Sequence, residues 1–563
     1  MKLPGSLERP LAIAWKDLLV LNKAASSWKG AMGAAILLAP LLALAALSVY
    51  APGPWRYSGH VAALATGAFF SALAFLVAVL PAATALALER DRDTLQGLVV
   101  SPATPRDLVL GKLAAALGSA LAAKAIALPA FAIVYALGGI EAGFIPRYLA
   151  VLASADVSFA SFALYASARP LRSTRLGAPG LARIGISQAQ LAVQRSVGAV
   201  VLLSLIPIYA TLFAVPLALQ RGIALGHTLD AFASLGALHP LFALIAWGDA
   251  RVFGVAVPVW LLAVAFHLVL AFPFLTGAAE AQRAAFAPRG RAARAGFALL
   301  FLFVTAVATG AAWDAPATVR PLIGTTIAAA LLVVGATAFA QAPPPRVPFG
   351  LREVLRAFVD PRRAFESSAE TAPGYAFLLA LLALPFFFLV AAPGVAARSE
   401  LGLALAAVGI ASVGARLAAR AQAKEGQALA RALAVSASGE PSAQERAEPE
   451  DALPEPSRAA STAVAAAAVF VIASPLVSFV GLELVHRLHQ LESLVPVLQG
   501  LGILGLVTNP FTALEPLTGD FSGPLRQASL SFAGVEPGTI STLHLVFWGL
   551  VVLVALGTLG RRS

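Results

Sequence analysis

A chain of 563 residues that is 59% hydrophobic and only 12% charged, with a mean hydropathy of +0.83, has too little polar surface to be a soluble globule of its size. Its 40 Lys and Arg against 29 Asp and Glu give a net charge of +11, but no aromatic-basic recognition pattern accompanies that charge, which argues against a nucleic-acid partner. The absence of cysteine rules out disulfides, thiolate metal sites and a catalytic thiol.

Apolar runs able to cross a hydrocarbon core of about 30 Å as helices recur along the whole length. Twelve spans are expected, over 30–50, 60–88, 113–138, 148–168, 197–220, 252–275, 296–313, 321–341, 375–393, 400–415, 461–484 and 541–560. The first follows a basic, amphipathic stretch and is long enough to span, so it is expected to be retained rather than cleaved as a signal peptide. The predicted fold class is an all-α polytopic membrane protein of about twelve transmembrane helices in two six-helix halves, 1–295 and 296–563, with interfacial helices on the cytoplasmic side. Alternating the spans from a cytoplasmic N-terminus puts 31 of the 40 basic residues inside, 8 outside and Lys124 within a span, which is the positive-inside bias.

Before the first span, "LAIAWKDLLVLNK" places Leu11, Trp15, Leu18 and Leu19 on one helical face and Lys16, Asp17 and Lys23 elsewhere, as suits a helix lying in the interface. Between spans 2 and 3 comes "LERDRDTLQGLVVSPATPRDLVLGK", a charged cytoplasmic stretch whose prolines force a corner. After the corner Arg106, Leu108, Val109 and Leu110 are expected to begin a short segment at the membrane surface.

The order of residues in that stretch resembles the type-2 permease family of ATP-binding-cassette (ABC) exporters. The matching positions are Glu89, Arg90, Asp91, Arg92, Thr94, Leu95, Ser101, Pro102, Gly111 and Lys112, while Asp93 and Gln96 replace the family's usual glycine and glutamate. The resemblance covers about residues 1–295. It implies that 89–112 is a coupling segment docking on a separate ABC-type ATPase subunit, that the chain is a permease working by alternating access, and that it resides in a bacterial inner membrane. No cofactor is expected on the chain itself; ATP would be bound by the partner. In keeping with this, Gly111 and Lys112 do not complete a phosphate-cradling loop, because Arg106 stands five residues earlier and Leu113 follows.

Ionisable residues within spans cost about 2.5–3.5 kcal/mol each on insertion scales unless paired or wetted. Lys124 lies about 12 residues into span 3 and Asp156 about 12 residues before the end of span 4, so both sit about 18 Å from the cytoplasmic side at 1.5 Å per residue. They are expected to meet, as a neutralising ion pair or as part of a substrate pathway. Between spans 5 and 6, "LGALHPLFALIAWGDA" reads as a broken, re-entrant hairpin.

In the second half, "FGLREVLRAFVDPRRAFE" reads as another interfacial helix, and "TNPFTALEPLTGDF" occupies the place of "LHPLFALIAWGD" in the first half, as a diverged repeat would have it. Alternatively, "FVDPRRAFESSAETAPGYAFLLALLALP" and "STLHLVFWGLVVLVALGTLG" resemble the start and end of the five-span Yip-type membrane family, with "VPVLQGLGILGLV" as a thirteenth span. Residues 436–458, rich in Ala, Ser, Pro and Glu, are expected to form a disordered cytoplasmic linker. His486 and His489, near Glu483 and Glu492, lack the further ligands a metal site needs and read as interfacial anchors. The expected partners are an ABC-type ATPase and the lipid bilayer, with a second copy or another permease if one chain does not furnish the whole translocation unit. A non-transporting membrane scaffold and an ion-coupled secondary transporter are the alternatives.

Overall fold

The computed structural model describes residues 5–23, 77–89, 92, 94, 103–136, 143–168, 193, 240, 243, 249–282, 290–313, 351–366, 368, 370–390, 401–413, 415–416 and 537–560. Helix dominates: α1 (Gly5–Lys23), α2 (Val77–Glu89), α3 (Pro105–Ala136), α4 (Phe144–Ala168), α5 (Val259–Ala281), α6 (Ala292–Trp313), α7 (Leu351–Val359), α8 (Pro361–Ala364), α9 (Ala372–Val390), α10 (Leu401–Val413) and α11 (Pro537–Gly560). Three of these are both long and apolar enough to cross a membrane, namely α4, α5 and the Ala292–Ala311 stretch of α6. Shorter apolar helices are α2, α10, Ala372–Phe386 of α9 and Thr542–Leu556 of α11. Twelve spans are thus not matched helix for helix. The expected spans 30–50, 197–220, 321–341 and 461–484 lie outside the described residues, as does the linker 436–458.

Two expectations are corrected. First, α3 is one continuous helix of 32 residues, so Arg106 to Leu110 are its first turns and not a separate surface segment. The cause is local: Thr104 and Asp107 form a reciprocal cap, with Asp107 N donating to Thr104 Oγ1 at 3.2 Å and Thr104 N donating to Asp107 Oδ2 at 2.9 Å. Pro105 sits at the first helical position, where its missing N–H costs nothing. Second, the chain is not entirely helical. Asp249–Val252 (β1) and Val255–Pro258 (β2) pair as a two-stranded hairpin, so the helix expected from 252 starts at Val259. The two-residue turn, Phe253 (φ 52°) and Gly254 (φ 75°), has both backbones left-handed, which matches the twist of paired strands. On α1, Leu11 and Trp15 (66% exposed) point outward, while Pro10 and Ala14 are buried.

The described residues group into two units, one drawn mainly from residues up to 287 and the other mainly from 288 onward. In the first unit, α4 packs most extensively on α5, and α1 on α3. Its core joins Val79, Ala82 and Leu86 of α2 to Val109, Leu113 and Ala116 of α3, Ala160, Ala163 and Leu164 of α4, and Ala278 of α5. Small residues at these crossings let helix backbones approach closely, which is how apolar helices gain packing energy where water supplies no driving force. The cytoplasmic-facing ends expected for α2, α4 and α5 are tied by polar groups: Ser167 Oγ accepts from Leu86 N and Ala87 N, each at 3.0 Å, and Gln282 Nε2 donates to Ala168 O at 3.0 Å.

In the second unit α9 packs against α6, α7 and α8, and α7 also touches α11. Asp360 ends α7 and caps α8, accepting from Arg362 N at 3.0 Å ahead of Pro361 at the first helical position.

Candidate functional site

Lys112 lies in the second turn of α3 and is only 5% exposed. A buried ammonium needs compensating charge, and two carboxylates from different elements provide it. Asp17 Oδ2 of α1 stands 2.9 Å from Lys112 Nζ, and Glu89 Oε1, the last residue of α2, stands 2.8 Å from it. Glu89 is held in turn by Thr94, whose Oγ1 donates to the other carboxylate oxygen and, at 3.1 Å, to the Glu89 carbonyl. Thr94 N also donates to that carbonyl at 2.9 Å, and Arg92 N donates to Leu88 O at 3.0 Å, so the chain leaving α2 is wound back over the helix end. Burial pushes the Glu89 carboxyl up, but the hydrogen bonds from Lys112 and Thr94, with the charges of Lys112 and Lys16, outweigh it and hold the group below its ordinary value of 4.5.

The preceding residue explains how α1 comes near enough. A Cβ on Gly111 would lie 2.7 Å from Ile13 Cβ and 2.8 Å from the Pro10 carbonyl oxygen, so a bare backbone is required where α1 crosses α3. Two turns on, Gly118 seats the tip of Leu18 in the same way. Of the residues that carry the family resemblance, Glu89, Thr94 and Lys112 are therefore bound together, Gly111 supports the contact beside them, and Arg92 is exposed. Arg90, Asp91, Leu95, Ser101 and Pro102 lie outside the described residues. By sequence Asp17 falls merely on the polar side of α1, and nothing in its local spacing tells that its partner is on α3.

Deeper in the same unit, Lys124 of α3 and Asp156 of α4 are both buried and form a direct ion pair, and Lys124 Nζ donates to Leu152 O at 3.4 Å. On α4, Ser158 Oγ contacts His267 Nδ1 of α5 at 2.9 Å, both side chains being buried. The His267 ring meets the edges of Phe159 and Phe266. Asp156 and Ser158 are two residues apart, about 200° around the helix, so α4 makes one polar contact toward α3 and the other toward α5. The ion pair neutralises two charges that would each be costly alone.

In the second unit the sequence gives no hint of Arg294 beyond its membership of a basic cluster. It is fully buried at the third residue of α6. Its Nη1 donates to Ala364 O at 2.7 Å and Thr371 Oγ1 at 2.6 Å, and its Nη2 donates to Ser368 O at 2.7 Å. Tyr375 lays its ring 5.1 Å from the guanidinium carbon and donates its hydroxyl to the Arg294 carbonyl at 2.7 Å. The fork geometry of guanidinium thus organises the connection between α8 and α9. That role depends on which loop closes over the residue, which periodicity does not encode.

Among the described residues no group of three or more His, Asp or Glu is placed to hold a metal, and His486 and His489 lie outside them. Comparison of the chain with protein families, with curated proteins and with solved structures gives no match.

Proposed function

We propose that this chain is the membrane permease of an ABC-type exporter, built of about twelve spans in two six-helix halves in a bacterial inner membrane and driven by a separate ATPase. The observation that carries the reading is the junction of Lys112 with Glu89 and Asp17. The two ends of the segment that resembles a coupling helix are clasped to each other and to α1, so a push on residues 90–111 is delivered to α1, α2 and α3 together. Such a segment converts ATP-driven movement into helix rearrangement only if its contact with the ATPase differs between two conformers. The chain then alternates between inward-open and outward-open states, either as a complete unit or with a second permease.

The test is purification of the tagged chain from its native membrane in mild detergent, with identification of what accompanies it. An ABC ATPase is expected with the natural sequence, and less of it with Arg92→Ala, whose side chain is exposed and outside the charged junction, and with Thr94→Ala. Absence of any ATPase with the natural sequence, under conditions that preserve a control ABC complex, would overturn the reading in favour of a scaffold.

A second reading, ion-coupled transport, is favoured by the buried Lys124–Asp156 pair and by His267 against Ser158. It predicts uptake or efflux in proteoliposomes driven by an ion gradient without ATP.

A further inference from the structure

Helix α7 in the second unit has apolar residues on two sides. Val354 and Ala357 are buried, and the Ala357 carbonyl is seated on Gly374 of α9, where a Cβ would fall 2.4 Å from the oxygen. Leu355 and Val359, one turn apart, face outward at 47% and 85% exposure. The same two short helices carry four exposed arginines, Arg352 and Arg356 on α7 and Arg362 and Arg363 on α8. Two carboxylates share the segment: Glu353, and Asp360, which lies 3.6 Å from Arg363. Arg352, Arg356 and Arg362 have no ion-pair partner among the described residues.

The position of this surface narrows what it can meet. Gly374 is the third residue of α9, so α7 lies at the end of a 19-residue apolar helix. Phe358 packs on Phe377 with ring centroids 5.5 Å apart, and Phe377 begins the exposed apolar stripe of α9 that continues through Leu381 and Phe388. Phe358, next to Val359 in the chain, therefore packs at the head of a stripe that, in a membrane, faces acyl chains. Exposed aliphatic side chains and exposed arginines on one segment at the end of an apolar helix match a leaflet boundary, with apolar groups sinking among acyl carbons and guanidinium groups taking phosphate oxygens in bidentate fashion.

We propose that α7 and α8 form a site for anionic phospholipid, in which Leu355 and Val359 enter the acyl boundary and Arg352, Arg356 and Arg362 hold the headgroup phosphate. The proposal rests on the membrane placement of α9 in the function proposed above. The rival occupant is the chain's own acidic stretch 436–458, with Glu440, Glu445, Glu448, Glu450, Asp451 and Glu455.

The chain contains no cysteine, so Val359→Cys gives a unique attachment point for a bimane fluorophore in the full-length protein. The labelled protein is reconstituted in phosphatidylcholine vesicles containing equal mole fractions of nitroxide-labelled phosphatidylcholine or phosphatidylglycerol. Both lipids are expected to quench, with phosphatidylglycerol stronger by about twofold at low salt and the difference shrinking as salt rises. Combining Arg352→Gln, Arg356→Gln and Arg362→Gln should equalise the two lipids while leaving quenching by phosphatidylcholine unchanged, which separates lost headgroup recognition from lost folding. Equal quenching with the natural arginines overturns the proposal but leaves α9 in the membrane. No quenching by either lipid overturns the membrane placement itself. A phosphatidylglycerol preference that emerges only after deletion of 436–458 assigns the surface to that stretch and also overturns the proposal.

Discussion

Asp17 reaches Lys112 at 2.9 Å, joining a helix that precedes the first apolar run to the start of a helix that follows the second. With Glu89 on the other side, one ammonium is shared by two carboxylates from different elements. At the contact itself two carboxylates share one ammonium, with Lys16 adding its charge near Glu89, and this sets how the members respond to removal.

Lys112→Met should be the most damaging single change in the cluster, because it leaves two carboxylates facing each other in a largely buried place. Breaking buried charge pairs costs about 3–5 kcal/mol, and the lower end is expected here since both acids keep some contact with water. Asp17→Asn and Glu89→Gln should each cost less, as the other acid still compensates the lysine. The double change should exceed the sum of the two, read as thermal unfolding midpoints in detergent.

Gly111→Ala should loosen the seat of α1, at a cost of about 1–3 kcal/mol for overpacking. Ile13→Ala in the same chain should restore only part of the loss, because the Pro10 carbonyl oxygen also occupies the space and cannot be trimmed. Limited proteolysis within α1 gives the readout. Equal resistance in Gly111→Ala and the natural chain would contradict the close crossing.

For Lys124 and Asp156, each single change, Lys124→Met or Asp156→Leu, should destabilise by about 3–5 kcal/mol, and the apolar double should recover most of it. Swapping the charges, Lys124→Asp with Asp156→Lys, should be tolerated better than either half alone. If transport stays lost in the apolar double although its unfolding midpoint returns, the pair belongs to the substrate or ion pathway as well as to the fold.

Glu89 carries the pH dependence of the junction. Its folded carboxyl titrates below the ordinary value of 4.5, so its contribution is complete above that value and disappears as pH falls through the lower folded value. Stability measured from pH 7 downward should thus drop more steeply below about pH 4.5 in the natural protein than in Glu89→Gln. Identical acid profiles would mean that the carboxylate is not held as the structure has it.

How much of this was legible in sequence differs from residue to residue. Apolar length located α4, α5 and α6, because crossing a bilayer sets a minimum that composition displays directly. The meeting of Lys124 with Asp156 followed from counting residues down two antiparallel spans, since helical rise is constant. The start of α3 is legible in Thr104, Pro105 and Asp107, where proline acts as a first-turn residue and not as the breaker that its place in a charged corner suggests. Amphipathicity gave α1 without its packed side, which Gly111 and Gly118 decide from another helix. Asp17 and Arg294 escaped for the same reason: burial of a charge is conferred by distant chain, and no local pattern announces it.

The two polar contacts of α4 sit on opposite flanks at nearly one level, Asp156 toward Lys124 and Ser158 toward His267. Turning α4 about its own axis breaks both at once, and sliding it lengthwise does the same, whereas carrying α3, α4 and α5 along together breaks neither. In the permease proposed above, these three helices are therefore expected to move as one part, with the hinges of the transport cycle at its margins rather than between its members.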